Sequence, residues 1–450
     1  MGIILNQKRA TKLNKRVLQL AIPNIISNIS VPLLGAVDTA VIGHLEHVYY
    51  LGAIAVGSII FDFIFWGFGF LRMGTTGLVA QAYGANNIQR TKVILVRVLL
   101  VALGGSVLIL LLQYPLIEFS LWAIDATPEV EQYTRIYYKI RIFSAPATLG
   151  LFAINGWFLG MQNARYPMII TIFLNLLNIT TNLIFVFYFG MNVDGVAWGS
   201  LLSSYCAIAL AATLYFITYN KVKISVSWSD LVELEELKKF FSVNRDIFIR
   251  TLCLIFSYAF FTASSAKMGD VWLAANTILL QLWYISAYAV DGFAYAAESL
   301  VGRYVGARDF KKMKKAIWTC MAWGLGFGLV GTLFYAVFDR ELLSIFTDKP
   351  LVIETAMIVA VWLIIAPIVN SVCFIWDGVY IGATSTSAMR NSMLIATILF
   401  FVPVYYLVKP YAGNHALWIA MTSFMVIRGV TLTLYARKEL FLKYQSKQES

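Results

Sequence analysis

Apolar runs long enough to cross a bilayer, about 20 residues each, recur twelve times along the chain. They fall near 17–45, 52–83, 92–114, 136–161, 168–190, 195–219, 246–267, 271–302, 316–338, 355–382, 392–408 and 414–436. Polar or Gly- and Pro-bearing connections separate them. The pattern predicts an all-α integral membrane protein of twelve helices. Several runs exceed the thickness of the hydrocarbon layer, so those helices tilt, kink or project beyond it. The first carries Pro23 and Pro32, each of which removes one helix hydrogen bond and marks a place to bend. It also carries an acid, Asp38.

The polar residues inside these runs follow helical periodicity. Asn24, Asn28, Gly35 and Asp38 share one face of span one, and Thr171, Asn175, Asn178 and Asn182 one face of span five. Span eight aligns Gln281, Tyr284, Tyr288, Asp291, Tyr295 and Glu298, and span ten repeats Asn370, Asp377 and Thr384 at seven-residue intervals. None of these faces can look at lipid cheaply, so each points into a helix bundle or a central cavity. For the asparagines, helix-to-helix hydrogen bonding at about 1 kcal/mol each is an equally good explanation. For Asp38, Asp291, Glu298 and Asp377 it is not. A carboxylate in hydrocarbon costs about 2.5–3.5 kcal/mol on insertion scales, an expensive route to one hydrogen bond. These four are candidate proton or cation carriers. Asp62 reads either as a cavity acid or as a local partner, and Arg72 as a structural cation that snorkels or holds a carboxylate.

Composition agrees: 450 residues are 60% hydrophobic and 13% charged, with a mean hydropathy of +0.74. The net charge of +11 raises the question of nucleic acid. Its distribution answers it. Lys8, Arg9, Lys12, Lys15 and Arg16 precede span one, Arg303 to Lys315 follow span eight, and Arg437, Lys438, Lys443 and Lys447 end the chain. Glu118, Asp125, Glu129, Glu131, and later Asp339, Glu341, Asp348 and Glu354, fill alternate connections. By the positive-inside rule both termini are cytoplasmic, and no nucleic-acid partner is expected. No cleavable signal peptide is evident, because the apolar run behind the basic N-terminus is too long for one.

The chain also repeats itself. AQAYGA at 80–85 matches GRYVGA at 302–307, and GWFLG at 156–160 matches GVYIG at 378–382, both at an offset of 222. Two six-helix lobes in parallel orientation around a central cavity follow, related by an axis along the membrane normal. The expected division is 1–218 for the N-lobe, 219–245 for a cytoplasmic, partly helical linker, and 246–450 for the C-lobe with its short tail. Cys206, Cys253, Cys320 and Cys373 all lie in apolar runs and read as core residues. The three histidines, His44, His47 and His415, stand at span ends; HLEH lacks a third ligand and is not a zincin motif, so no metal site is expected. No phosphate loop or nucleophile elbow appears, which speaks against an ATP-driven pump and against an enzyme.

Twelve spans in parallel halves, with span one ending in VDTAVIGHL, resemble the multidrug and toxic compound extrusion (MATE) transporters. FGFLRMGTTGLVAQAYGA (68–85), SAPATLGLFAINGWFLGMQNAR (144–165) and DGFAYAAESLVGRYVGA (291–307) resemble the DinF-like branch. The resemblance implies an antiporter in the cell membrane, without a cofactor, driven by a proton or sodium gradient and expelling small amphipathic, often cationic compounds. A monomer is expected. The resemblance makes Asp38 the coupling acid and Pro23 the bending point of the first helix. It extends the network through Asn178 to Asn182, where an aspartate is usual, and to Ser200 and Tyr137, with Asn155 facing it. Because Asn182 cannot titrate, Asp38 looks more solitary than the family pattern has it. A sodium site of other branches uses acids of spans seven and ten; only Asp377 is present here. Lipid-linked sugar flippases of the same superfamily are the alternative. They tend to carry cations in the cavity, whereas the stripes above are acidic and neutral.

Overall fold

The computed structural model describes residues 2–42, 47–219 and 227–445, without the side chains of 2–10, 33–34, 36–42 and 48. The side chain of Asp38 therefore lies outside the described residues. Helices dominate, as the hydropathy pattern requires. The first is α1, Gly2–Ile42. Eleven more segments are long and apolar enough to cross a membrane. In order they are α2 (Tyr49–Gly84), α3 (Ile88–Leu111), α4 (Pro128–Gly160), α5 (Arg165–Tyr188), α6 (Val193–Tyr219), α7 (Trp228–Ala266), α8 (Asp270–Gly306), α9 (Phe310–Phe346), α10 (Pro350–Gly382), α11 (Thr386–Ala412) and α12 (His415–Gln445). A short helix, Gln113–Ile124, lies between α3 and α4.

Several helices are interrupted. α2 breaks at Phe68–Gly69, one turn before Arg72, and α4 tightens to a 3-10 turn at Ile142–Ser144. α5 and α11 contain wide turns at Ile184–Tyr188 and Ile395–Phe401, a feature often found at functional sites. α9 kinks at Phe338. Through Pro23, by contrast, α1 is continuous; Ser27 Oγ donates to the Pro23 carbonyl at 3.0 Å, and Asn24 Nδ2 to that of Leu20 at 2.7 Å. Part of the stretch read as a linker is helical: Leu234–Ala266 is one helix, and Trp228–Leu231 caps it as a single turn. This turn is tied to α3, where Arg97 Nη2 donates to the Asp230 carbonyl at 2.8 Å and Arg90 bonds both oxygens of Glu236.

The repeat reappears atom by atom. A Cβ on Gly84 would lie 1.9 Å from the Arg303 carbonyl oxygen, and one on Gly306 the same distance from that of Gln81. Gly156 meets the carbonyl of Arg72 as Gly378 meets that of Ala294, and Gly160 that of Thr76 as Gly382 that of Glu298. Each member of a pair stands 222 residues from its counterpart. So do the left-handed residues Asn86 and Arg308, and Gln162 and Thr384. The helix caps obey the same rule: Asn87 accepts from the Arg90 amide as Asp309 accepts from that of Lys312. Two lobes thus face each other across a local two-fold axis, α1–α6 opposite α7–α12.

Small residues let the α2 and α8 backbones touch where the lobes meet. This contact gives a prediction. Gly84→Ala forces the Arg303 backbone away and should destabilise the protein by about 1–3 kcal/mol. Gly104→Ala, where nothing lies within 4 Å, should be neutral or slightly stabilising. Thermal unfolding of the two variants in detergent checks both.

Candidate functional site

In the N-lobe, α5 presents its amides to α1 and α6. Asn175 Nδ2 donates to Ser30 Oγ at 2.9 Å and to the Ser30 carbonyl at 3.2 Å. Asn178 Nδ2 donates to Ser200 Oγ at 3.1 Å and Ser203 Oγ at 3.4 Å, and Asn182 Nδ2 to Asn178 Oδ1 at 3.0 Å. Asn175, Asn178 and Asn182 are all buried. The structure therefore brings Asn178, Asn182 and Ser200 into one chain of hydrogen bonds, with α1 at its edge. Two expected members have no hydrogen bond to this chain among the described residues. Tyr137 is buried on Phe61, and its hydroxyl accepts from Arg141. Asn155 Oδ1 is buried with no hydrogen-bond partner among the described residues. Its counterpart 222 residues on is Asp377.

A cavity of about 250 Å³ lies between the lobes, walled by α2, α4, α7, α8 and α10. Aromatic side chains line much of it: Phe65, Trp66, Tyr258, Tyr284, Tyr288, Tyr295 and Phe374. The span-eight stripe supplies Asp291 and Glu298, and span ten supplies Asp377. Their neighbours differ. Asp377 Oδ2 accepts from Arg250 Nη2 at 2.6 Å and Nε at 3.2 Å, and from Arg428 Nη2 at 2.6 Å. The whole triad is buried, and Arg428 is further held by Met425 Sδ at 3.0 Å and by the rings of Phe424 and Phe374. Glu298 Oε2 lies 3.6 Å from Arg72 Nη1, and the Arg72 guanidinium stacks on Tyr295 at 4.1 Å. Arg72 belongs to the N-lobe and its partners to the C-lobe, so this ion pair bridges the seam. Asp291 has neither a hydrogen bond nor an ion pair among the described residues.

The cavity is consequently not acidic and neutral, as the stripes alone implied. Arg72 and Arg250 line it, and Arg428 stands behind Asp377. Arg250 and Arg428 escaped the sequence reading although the signal was present. Each is a lone cation inside an apolar run, and the cost argument that singled out the acids applies equally to them. Charge is also unequal between lobes: the N-lobe counterparts of Asp291, Glu298 and Asp377 are Gly69, Thr76 and Asn155.

Below the cavity the lobes are joined by close contacts. Gln81 Nε2 donates to the Gly382 carbonyl at 3.0 Å, Gln162 Nε2 to that of Ser299 at 2.7 Å, and Ser299 Oγ to that of Leu159 at 2.7 Å. Higher up, Asn28 Nδ2 of α1 reaches the Tyr288 carbonyl of α8 at 3.1 Å.

Two parallel-repeat lobes, a polar aromatic cavity at mid-height and ionisable groups inside the spans define a multi-pass membrane transporter. The particular family follows from comparison. The MatE family model matches residues 23–184 and 247–407, and the chain belongs to that family of multidrug and toxin extrusion transporters. It is 37% identical to DNA damage-inducible protein F of Escherichia coli (strain K12) over 430 residues, 95% of this chain and 93% of that one. It is 27% identical to multidrug and toxin extrusion protein 1 of Danio rerio over 307 residues, 66% of this chain and 50% of that one. Its fold is similar to that of the Vibrio cholerae MATE transporter VcmN in the bent form, with a TM-score of 0.87, 21% identity and coverage of 98% of each chain.

Proposed function

We propose that this transporter is an antiporter of the cell membrane, cytoplasmic at both termini, that expels amphipathic cations in exchange for protons. The observation that carries the substrate reading is Asp291. It faces an aromatic-lined cavity and has no hydrogen bond or ion pair among the described residues, so a cation with an apolar body can meet both charge and ring faces there. Three acids and three guanidiniums balance in number, but not in pairing: Asp377 holds two of the three arginines.

That pairing also bears on the coupling ion. A carboxylate already bonded to two guanidiniums is a poor ligand for a further cation, which argues against sodium binding at Asp377. The coupling acid in this reading is Asp38 on α1, as the family resemblance implies, with the Asn178–Asn182–Ser200 chain as its proposed neutral surroundings. Protonation removes its charge and its need for polar company, α1 rearranges about Pro23, and a cationic substrate loses the field that retained it. Ionised Asp38 restores that field, and exchange follows from differential affinity for the two states.

Efflux of a fluorescent cation from proteoliposomes, under imposed pH or sodium gradients, tests this reading. Driving by pH alone supports it; driving by sodium alone, or no cation transport at all, overturns it. The guanidiniums at the cavity favour one second reading, an amphipathic anion as substrate, and an anionic dye in the same assay decides between them. A further expectation concerns Asn182. Asn182→Asp adds a second carboxylate to the N-lobe network, and like charges raise each other's pKa, so the pH midpoint of transport should move upward by about one unit. An unchanged pH profile would separate Asn182 from the coupling site.

A further inference from the structure

Where α1 of the N-lobe meets α9 of the C-lobe, a groove of about 730 Å³ opens on the end of the molecule that carries the basic connections. Lys311, Lys314 and Lys315 line one part of it, and Trp318 and Trp323 another. Among the described residues no carboxylate lines it. The three lysines are exposed and form no ion pair among the described residues; Lys314 has only the ring of Phe441, at 5.7 Å. The nearest acid in the sequence, Asp309, is engaged by Lys312 at 2.5 Å. Burial raises its pKa, but hydrogen bonds from the Lys312 ammonium and amide outweigh this and hold it below the usual carboxylate range. It stays ionised and bonded to Lys312, and it acts on Lys311 only through space.

We infer that this groove seats an anionic phospholipid, its phosphate between Lys311, Lys314 and Lys315 and an acyl chain along Trp318 and Trp323. The shape of the charge argues for a lipid. From Phe310 to Trp323 the helix climbs about 20 Å, from the headgroup level into hydrocarbon. A basic end followed by half-exposed indoles, 49% for Trp318 and 38% for Trp323, matches an amphiphile rather than a free ion. The groove is also specific to one side of the molecule. The two-fold counterparts of the three lysines are Gln89, Lys92 and Val93. The groove opposite, beside α7 and α3, offers Lys238 and Arg245, and Arg245 is paired with Asp246.

The position gives the lipid a consequence. Trp323 Nε1 donates to Asn14 Oδ1 of α1 at 3.1 Å, across the line where the lobes part. A lipid seated there braces α1 against α9 and favours the arrangement in which they touch. It does not depend on which ion drives transport.

The test uses the full chain purified in detergent and titrated with phosphatidylglycerol or phosphatidylcholine, bound lipid being counted by native mass spectrometry. Phosphatidylglycerol should bind at least about tenfold more tightly, since each lysine contributes roughly a fivefold gain near an anionic headgroup. Changing Lys311, Lys314 and Lys315 to Gln together should abolish the preference. Changing Arg437, Lys438 and Lys443 to Gln, an equal loss of charge on the same end, should keep it. Equal binding of the two lipids, or retention of the preference by the first variant, overturns the proposal. Displacement of phosphatidylglycerol by millimolar inorganic phosphate also overturns it, because the seat is then one for free phosphate. Should the triple variant not fold, brominated phosphatidylglycerol replaces it as a probe. Quenching of tryptophan fluorescence must be smaller in Trp318→Phe than in the parent protein, and equal quenching counts against the site.

Discussion

Asp38→Asn should abolish pH-gradient-driven exchange, leaving substrate movement at the level of protein-free vesicles, while the protein still folds and binds a cationic substrate more weakly, as the protonated state does, with no dependence on pH. Asparagine keeps the shape and hydrogen-bonding capacity of the side chain but cannot take up a proton, so the two states of α1 lose their dependence on pH. Asp38→Glu, which keeps a titratable group, should retain part of the exchange. The measurement is dye efflux from proteoliposomes across an imposed pH step, with binding of the same dye followed separately in detergent. Undiminished exchange by Asp38→Asn would remove Asp38 from the mechanism, and Asp62 or Asp291 would then be the next acid to examine.

The second large effect is expected at Asp377. Its Oδ2 is the shared acceptor of Arg250 and Arg428, both buried. Asp377→Ala leaves two guanidiniums in a low-dielectric setting with no carboxylate bonded to either, Asp291 being the remaining acid that acts on them through space. Breaking such a pair from one side costs about 3–5 kcal/mol, and the variant should unfold at markedly lower temperature. Arg250→Ala should cost much less, because Arg428 and Asp377 remain balanced. The double variant Asp377→Ala/Arg250→Ala removes one stranded charge and should be more stable than Asp377→Ala alone. A double-mutant cycle on thermal unfolding measures this coupling. If all three variants unfold alike, the triad is not the electrostatic centre of the C-lobe that its geometry indicates.

These two predictions place the lobes in different roles. The N-lobe carries a network of amides and hydroxyls next to the proline-bearing α1, and the C-lobe carries fixed charge. Asn155 and Asp377 illustrate the division, because they occupy equivalent positions in the repeat. One is a neutral amide without a hydrogen bond at Oδ1, the other the acceptor of two arginines. The Arg72–Glu298 pair then links the lobes in the wall of the cavity. Any motion that separates α2 from α8 must break it, together with the glycine-to-carbonyl contacts of Gly84 and Gly306.

Much of this was legible in the amino-acid sequence. Helical spans follow from hydropathy because backbone groups in lipid must bond within their own segment, so each apolar run had only one regular structure available. The parallel two-lobe plan follows from the 222-residue offset, since equal intervals between two motifs leave little freedom in how the halves correspond. Periodicity also placed Asn178, Asn182, Asp291, Glu298 and Asp377 on inward faces, because a face that cannot meet lipid has nowhere else to go.

Only the tertiary structure decided who meets whom. Arg250, Asp377 and Arg428 come from α7, α10 and α12, and no spacing within one helix reveals that three helices converge on a single carboxylate oxygen. The same holds for Arg72 and Glu298, brought together across the seam, and for Asp291, which has no hydrogen bond or ion pair among the described residues. Periodicity determines the direction a side chain takes from its own helix axis, whereas a charge pair depends on the relative height and rotation of several axes. Those are set by packing, in this protein by glycines that let neighbouring helices approach to backbone contact.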